Sequence, residues 1–252
     1  MYSDDDLSLL DDEAALESPL DQLGAIDDPL AEAAQPDVEE MLQLLDSPEA
    51  TQRMIAARAF CELQDRRATP HLIRLLSDSC PLVRVSAAYG LGRNPSDDAV
   101  QPLINQLEQD WNGYVRKGVV WALGNCRSHL ALAPLIDALK TDISAVRLWA
   151  ASTLGQMAEV GAEATAQAIP ALITALTQDS MAAVRSNCAW SLGQLCQTLS
   201  LNDAYTEAVD ALIAALEDSE LGVQEDAKAA LLKLGDPRGV QTIEELEMGG
   251  ML

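Results

Sequence analysis

The chain has 252 residues, 48% of them apolar but only 4% aromatic, with 40 acids against 16 bases and a formal charge of −24. That length accommodates a sizeable core, which with a single Phe must be aliphatic and Ala-rich. So negative a chain argues against a binder of duplex DNA or of an anionic membrane, which attract positive surface, and no apolar run reaches the roughly 18 residues of a membrane span.

Residues 1–36 carry eleven acids and no Lys or Arg, with Pro19, Pro29, Pro36 and only scattered Leu. This composition predicts a disordered acidic arm. The plainer reading is a solubilising tail; the other is that Leu7–Leu10 with Leu16 form a transient helix on a partner. The opening residues MYSDDDLSLL lack a basic stretch followed by an apolar one, so no signal peptide is expected. Five Cys without paired spacing suit reduced thiols and a cytoplasmic location.

From residue 37 onward the chain aligns with itself. Pro102, Leu103 and Ile104 lead to Asp110 as Pro134, Leu135 and Ile136 lead to Asp142. Variants run from Pro70 to Asp78, from Pro170 to Asp179 and from Asp210 to Asp218. Each is followed by a Val-Arg pair, Val83-Arg84, Val115-Arg116, Val146-Arg147 and Val184-Arg185; Gln52-Arg53 and Val223-Gln224 are degenerate outer copies. Eight residues past each internal Arg stands Gly92, Gly124, Gly155 or Gly193.

Each copy holds two apolar patterns of helical period about a short polar turn. The first is predicted to begin near its Pro, which suits a helix's first turn. The second is predicted to stop near its Gly, which accepts the left-handed conformation beyond a helix end. A hairpin of about 30 residues cannot bury its own apolar face, so six copies are expected to stack into an all-α, right-handed superhelical solenoid over 37–247. Wider fourth and fifth intervals place extra residues around Ala158–Ala168 and Gln197–Glu207, as loops or helix extensions. The segment from Gly235 to Ile243 reads as a seventh unit cut short as a cap.

Pro in the first helix, Asp in the turn and Val-Arg opening the second helix resemble HEAT repeats, part of the HEAT/armadillo-like α-α superhelices. The short length and Leu-Gly ending resemble the phycobilin-lyase-type subclass. Asp78, Asp110, Asp142 and Asp179 with Arg84, Arg116, Arg147 and Arg185 are then expected to form a hydrogen-bonded ladder along the stack. The segments Gln52–Leu63, Asp110–Gly118, Val146–Ser152 and Arg185–Trp190, behind an acidic arm, resemble the cyanobacterial HEAT-repeat proteins that interact with IscA-type iron–sulfur carriers. That resemblance implies a non-enzymatic adaptor that assists iron–sulfur cluster biogenesis. The neighbouring E/F-type phycobilin lyases imply the alternative, a lyase or chaperone acting on bilins and phycobiliproteins.

About 100° per residue separates two faces of each second helix. With Arg as zero, offsets −1, 0, +3, +4 and +7 cluster on the core side, and offset +5 lies opposite with Arg58, Tyr89, Trp121, Ser152, Trp190 and Ala229. In stacked HEAT hairpins the second helices line the concave surface, so the resemblance places Tyr89, Trp121, Trp149 and Trp190 along a groove. Arg93, Lys117, Asn125, Gln156, Asn187 and Gln194 interleave with them, and the whole set is the candidate partner-binding groove. Two readings stand: an open binding groove, or aromatics covered by the arm or packed between repeats. Trp111 and Tyr114, in the third turn, extend that surface or fix the turn.

Cys188 falls at a core offset. No pair has C-x-x-C spacing, so no cofactor intrinsic to the chain is indicated; Cys126 and Cys196 are the candidates for a cluster shared with a partner, and a bilin is the alternative ligand. His71 and His129 belong to no His-Glu pair, and no phosphate-binding, dinucleotide-binding or nucleophile-elbow motif occurs, so catalysis is not indicated.

Overall fold

The computed structural model describes residues 36–199 and 202–249, and the expected acidic arm, apart from Pro36, lies outside them. Among the described residues there are thirteen α-helices and no strand. Twelve form six hairpins: α1 (Val38–Leu44) with α2 (Ala50–Ala59), α3 (Thr69–Leu75) with α4 (Pro81–Arg93), α5 (Asp97–Gln109) with α6 (Gly113–Cys126), α7 (Leu132–Thr141) with α8 (Ser144–Gly155), α9 (Ala162–Gln178) with α10 (Ala182–Cys196), and α11 (Asp203–Ala215) with α12 (Leu221–Leu234). One further helix, α13 (Pro237–Met248), follows Gly235 and packs on the last hairpin. Gly235 takes φ 67° just past α12, a conformation that costs a glycine little.

First helices stack on first helices and second on second, so the hairpins form two layers with a continuous aliphatic core between them. The expected core stripe is buried: Val115, Val119, Val120 and Leu123 of α6 and Val184, Cys188, Ala189 and Leu192 of α10 are all fully inaccessible. Because each hairpin is antiparallel, its internal turn lies on one edge of the array and the inter-repeat connections lie on the other.

The turn edge carries the ladder. Arg84 Nε and Nη2 bond the Asp110 carboxylate at 2.7 and 2.9 Å, and Arg147 and Arg185 reach Asp179 and Asp218 in the same forked geometry. Arg116 does so with Asp142, and Arg53 with Asp78, so the ladder runs one rung further at each end than the expected set. Each Arg also donates to a carbonyl of its own repeat's turn, as Arg84 does to Asp78 at 3.0 Å. Each Asp in turn accepts a nearby backbone N–H that shapes the turn, as Asp110 does from Asn112 at 2.9 Å. Gln224, standing where the last Arg would be, keeps the carbonyl half of the arrangement by donating to Asp218 O.

Three sequence expectations change. The second helices do end near their internal glycines, within three residues of each and at Gly155 itself in α8, but none of the four has positive φ, so none acts as a left-handed stop. They are contact points between second helices, because a Cβ at Gly155 would lie 2.9 Å from Ser191 Cβ, at Gly124 2.8 Å from Thr153 Cγ2, and at Gly193 2.7 Å from Ala230 Cβ. Leu232 occupies the same place in α12, where no further second helix follows, and is 51% exposed. Proline does not mark every helix start either. Pro70 sits in the first turn of α3, but Pro102 and Pro170 are inside α5 and α9, because Ser96 caps α5 early and extra residues lengthen α9 to 17 residues. The third change concerns Lys117. The insertion near Ala158–Ala168 becomes a 3₁₀ turn (Gln156–Glu159) and the start of α9, while residues 200–201 of the other lie outside the described set.

Candidate functional site

Second helices touch one another along the whole array, and first helices less closely. Small residues at the second-helix contacts, among them the internal glycines, let the helices of that layer approach one another closely. The aromatic residues of the groove stand on this layer, one on each of four consecutive second helices.

The structure brings together one compact part of the candidate set. Tyr89 of α4 and Trp121 of α6 pack with ring centroids 5.3 Å apart and planes tilted by 39°. The Trp121 ring lies against Gly92, where a Cβ would come within 2.3 Å of it, and Tyr89 lies over Gly118. The Arg93 guanidinium carbon is 5.7 Å from the Trp121 ring centre. Asn125, one turn beyond Trp121, joins Arg93 and Trp121 in an open depression of about 710 Å³ at the inter-repeat edge. Arg66 and Arg127 line it too. Neither belonged to the sequence-derived set, because both follow a helix pattern rather than falling inside one. No common register marked them: counted from Arg53, Arg84 and Arg116, Arg66, Arg93 and Arg127 stand 13, 9 and 11 residues on.

Lys117 does not face the groove. It is 2% exposed, its ammonium 5.3 Å from the Trp149 ring centre, because direct packing of α6 on α8 encloses the flank that a lone helix would leave open. Trp149 is accordingly half-buried against the core, with its Nε1 buried and without a hydrogen-bond partner among the described residues. A second open patch lies on α10, two repeats from Trp121, where Trp190 is 43% exposed. Half-buried Asn187 and Gln194 flank it, and Gln194 accepts a hydrogen bond from Lys233 of α12 at 2.8 Å. Gln156, exposed at the end of α8, stands between the two patches.

Trp111 is 76% exposed at the start of α6 and 5.7 Å from the Arg84 guanidinium carbon, so it covers a ladder rung. Trp111 precedes α6, and the eight residues of helix from Gly113 to Trp121 rise about 12 Å between them. Cys126 and Cys196 end α6 and α10 with α8 between those helices, and they share no site. Burial raises the Cys126 thiol and pushes Cys196, 2% exposed, up to about 12, which disfavours the thiolate that binds iron. No group of three or more His, Cys, Asp or Glu suited to a metal ion occurs among the described residues. An iron–sulfur cluster held by these two thiols of one chain does not fit.

The two-layer stack of helical hairpins with its Asp–Arg ladder defines an α-solenoid. The family model for HEAT repeats matches residues 38–105, 100–193 and 169–247, and the chain belongs to the HEAT-repeat family. No curated protein matches it. Among solved structures it is similar to a designed armadillo repeat protein (22% identity, 79% of this chain and 100% of that one, TM-score 0.59). It is similar also to a designed armadillo repeat protein in complex with the peptide (KR)4 (21% identity, 79% and 100%, TM-score 0.57). A third similar structure is the complex of CpcE and CpcF of phycocyanin lyase from Nostoc sp. PCC7120 (22% identity, 86% of this chain and 84% of that one, TM-score 0.58). At such identities these likenesses describe the fold. Among the described residues no helix is long and apolar enough to cross a membrane.

Proposed function

We propose that the protein is a non-enzymatic adaptor that binds a protein partner along the aromatic face of its second helices. The observation that carries this reading is that Tyr89, Trp121 and exposed Trp190 stand on the second-helix layer, away from the ladder that holds the array together. Aromatic side chains dominate interface energies when a partner covers them. The partner proposed is an IscA-type iron–sulfur carrier, on the likeness of the Gln52–Leu63, Asp110–Gly118 and Arg185–Trp190 segments to HEAT proteins of that kind. Cluster ligands then come from the carrier, since Cys126 and Cys196 share no site of their own.

Isothermal titration of the full chain with an A-type carrier tests the proposal. Trp190→Ala removes an exposed ring without opening the core, and its expected cost of about 2 kcal/mol weakens binding about 30-fold. Binding by Trp190→Ala and Arg93→Glu as tight as by the parent would remove this face from the account. A second reading, a bilin lyase or chaperone, is favoured by the fold likeness to the CpcE–CpcF complex and by the packed aromatic pair of Tyr89 and Trp121. Absorbance titration with phycocyanobilin, with and without an apo-phycobiliprotein, distinguishes it, and an unchanged spectrum speaks against it.

A further inference from the structure

The fold commits most of the sixteen bases to carboxylates. Five Arg form the ladder, and Arg67, Arg74, Arg238 and Lys228 also pair with acids. Arg66 and Arg93 have no ion-pair partner among the described residues, although the chain holds 40 acids. Both line the depression beside Trp121, together with Arg127, whose pair with Glu159 is exposed on both sides and therefore weak. Among the described residues of the lining the one acid is Asp65, and it is already paired with Arg67. A locally positive, aromatic-floored depression thus sits in a strongly negative protein.

We propose that this depression is a docking site for an acidic, leucine-bearing peptide segment, and that its occupant is residues 4–13 of the same chain. In that segment, DDDLSLLDDE, two acidic triplets flank Leu7, Leu9 and Leu10. The leucines match the Trp121 ring that lines the depression, and the carboxylates match guanidiniums that form forked, charge-assisted hydrogen bonds. Chain geometry favours this occupant. First helices begin on the same edge where second helices end, so the chain enters α1 on the edge that holds the depression. Glu39, in the first turn of α1, bonds Arg67 at 2.7 Å, and Arg67 is clamped on Asp65 of the lining. Asn94, also in the lining, accepts from the Asp65 N–H at 3.1 Å. The 22 residues between Glu13 and Pro36 span up to about 75 Å when extended, ample for the return. Tethering gives the segment an effective concentration on the order of millimolar, which no free acidic peptide matches. Asp97 and Asp98 line the adjoining depression beside Cys126, which shares Arg66 and Asn125 with this one, and their charge biases the arm toward Arg93 and Arg127. Docked residues 4–13 cover Trp121 and Arg93 and leave Trp190 open.

The test uses the full chain labelled with 5-fluorotryptophan and no partner, so its outcome is independent of which protein the second helices bind. Four ¹⁹F resonances are assigned by single Trp→Phe variants. Neutralising the segment (D4N, D5N, D6N, D11N, D12N and E13Q), outside every helix described, is expected to shift the Trp121 resonance and leave that of Trp190 in place. The double variant R66Q/R93Q should abolish the response of Trp121 to those arm substitutions. Raising NaCl to 0.5 M, which shortens screening to about 4 Å, should move the parent Trp121 signal toward its position in the neutralised chain. A Trp121 resonance that is the same in parent and neutralised chains overturns the proposal. Equal shifts of Trp121 and Trp190 overturn it as well, since they mean a diffuse charge effect without a seat.

Discussion

Arg84 and Asp110 show how one residue pair can serve both local and tertiary structure. Asp110 shapes its own turn through the Asn112 N–H and meets a guanidinium from the preceding repeat, while Arg84 holds its own turn by a carbonyl. The Asp110 side chain is 1% exposed and that of Arg84 8%. Burial alone would raise the Asp110 carboxyl, but hydrogen bonds from Arg84, Asn112 and Gln106 outweigh it and hold the group below the usual carboxylate range. Removing one partner leaves a buried charge unpaired, so Asp110→Asn is expected to destabilise the fold by about 3 kcal/mol in urea denaturation. Asp210→Asn, at the exposed pair with Arg238, should cost less than about 1 kcal/mol in the same measurement. Asp78 and Asp218 are held low by the same balance of burial and Arg hydrogen bonds. A carboxylate whose folded pKa is depressed stabilises fully above its unfolded value near 3.9, and that contribution is lost as pH falls through the folded value. Melting followed by circular dichroism should therefore show stability dropping steeply below about pH 4, and less steeply in Asp110→Asn.

At the scale of the helix, the internal glycines set the distance between second helices. A Cβ at Gly155 would meet Ser191 Oγ at 2.7 Å and Ser191 Cα at 3.1 Å, atoms of a helix that cannot retreat without opening the layer. Alanine would gain up to about 1 kcal/mol of helix propensity there, yet overpacking of this kind costs about 1–3 kcal/mol. Gly155→Ala is thus expected to lower the urea midpoint. Gly222, in α12 with nothing within 4 Å of its would-be Cβ, is the control, and Gly222→Ala should raise the midpoint or leave it unchanged. The same closeness explains Lys117. A helical wheel treats each helix alone and assigns offset +1 to the open side, but α8 packs against that flank and Trp149 covers the ammonium. Where a neighbouring helix did not intrude, at Arg93, Gln156 and Trp190, the side chains are exposed.

Across the whole molecule, the −24 charge is unevenly spread: residues 1–36 carry −11, residues 201–252 carry −9, and 37–200 only −4. The ladder neutralises much of the central charge on the turn edge, which leaves Arg66, Arg93 and Arg127 facing outward on the opposite edge. An acidic protein thereby presents a local cationic and aromatic surface, the kind of feature that recruits acidic peptide segments. The adaptor reading and the docking of residues 4–13 both draw on that surface, and they are separable because one is measured with a carrier and the other without any partner.

The sequence by itself determined the repeat, its two-helix content, the core stripe and the Asp–Arg ladder. Each of these depends on residues at constant spacing within a repeat, and the ladder simply reappears in register when identical units stack. Only the tertiary structure decided the role of the glycines, the burial of Lys117 under Trp149, the separation of Cys126 from Cys196 and the meeting of Arg66, Arg93 and Arg127 around Trp121. Those depend on the approach of one repeat to the next. That distance is set by the sizes of side chains on two helices some 30 residues apart, which no periodicity within one helix records.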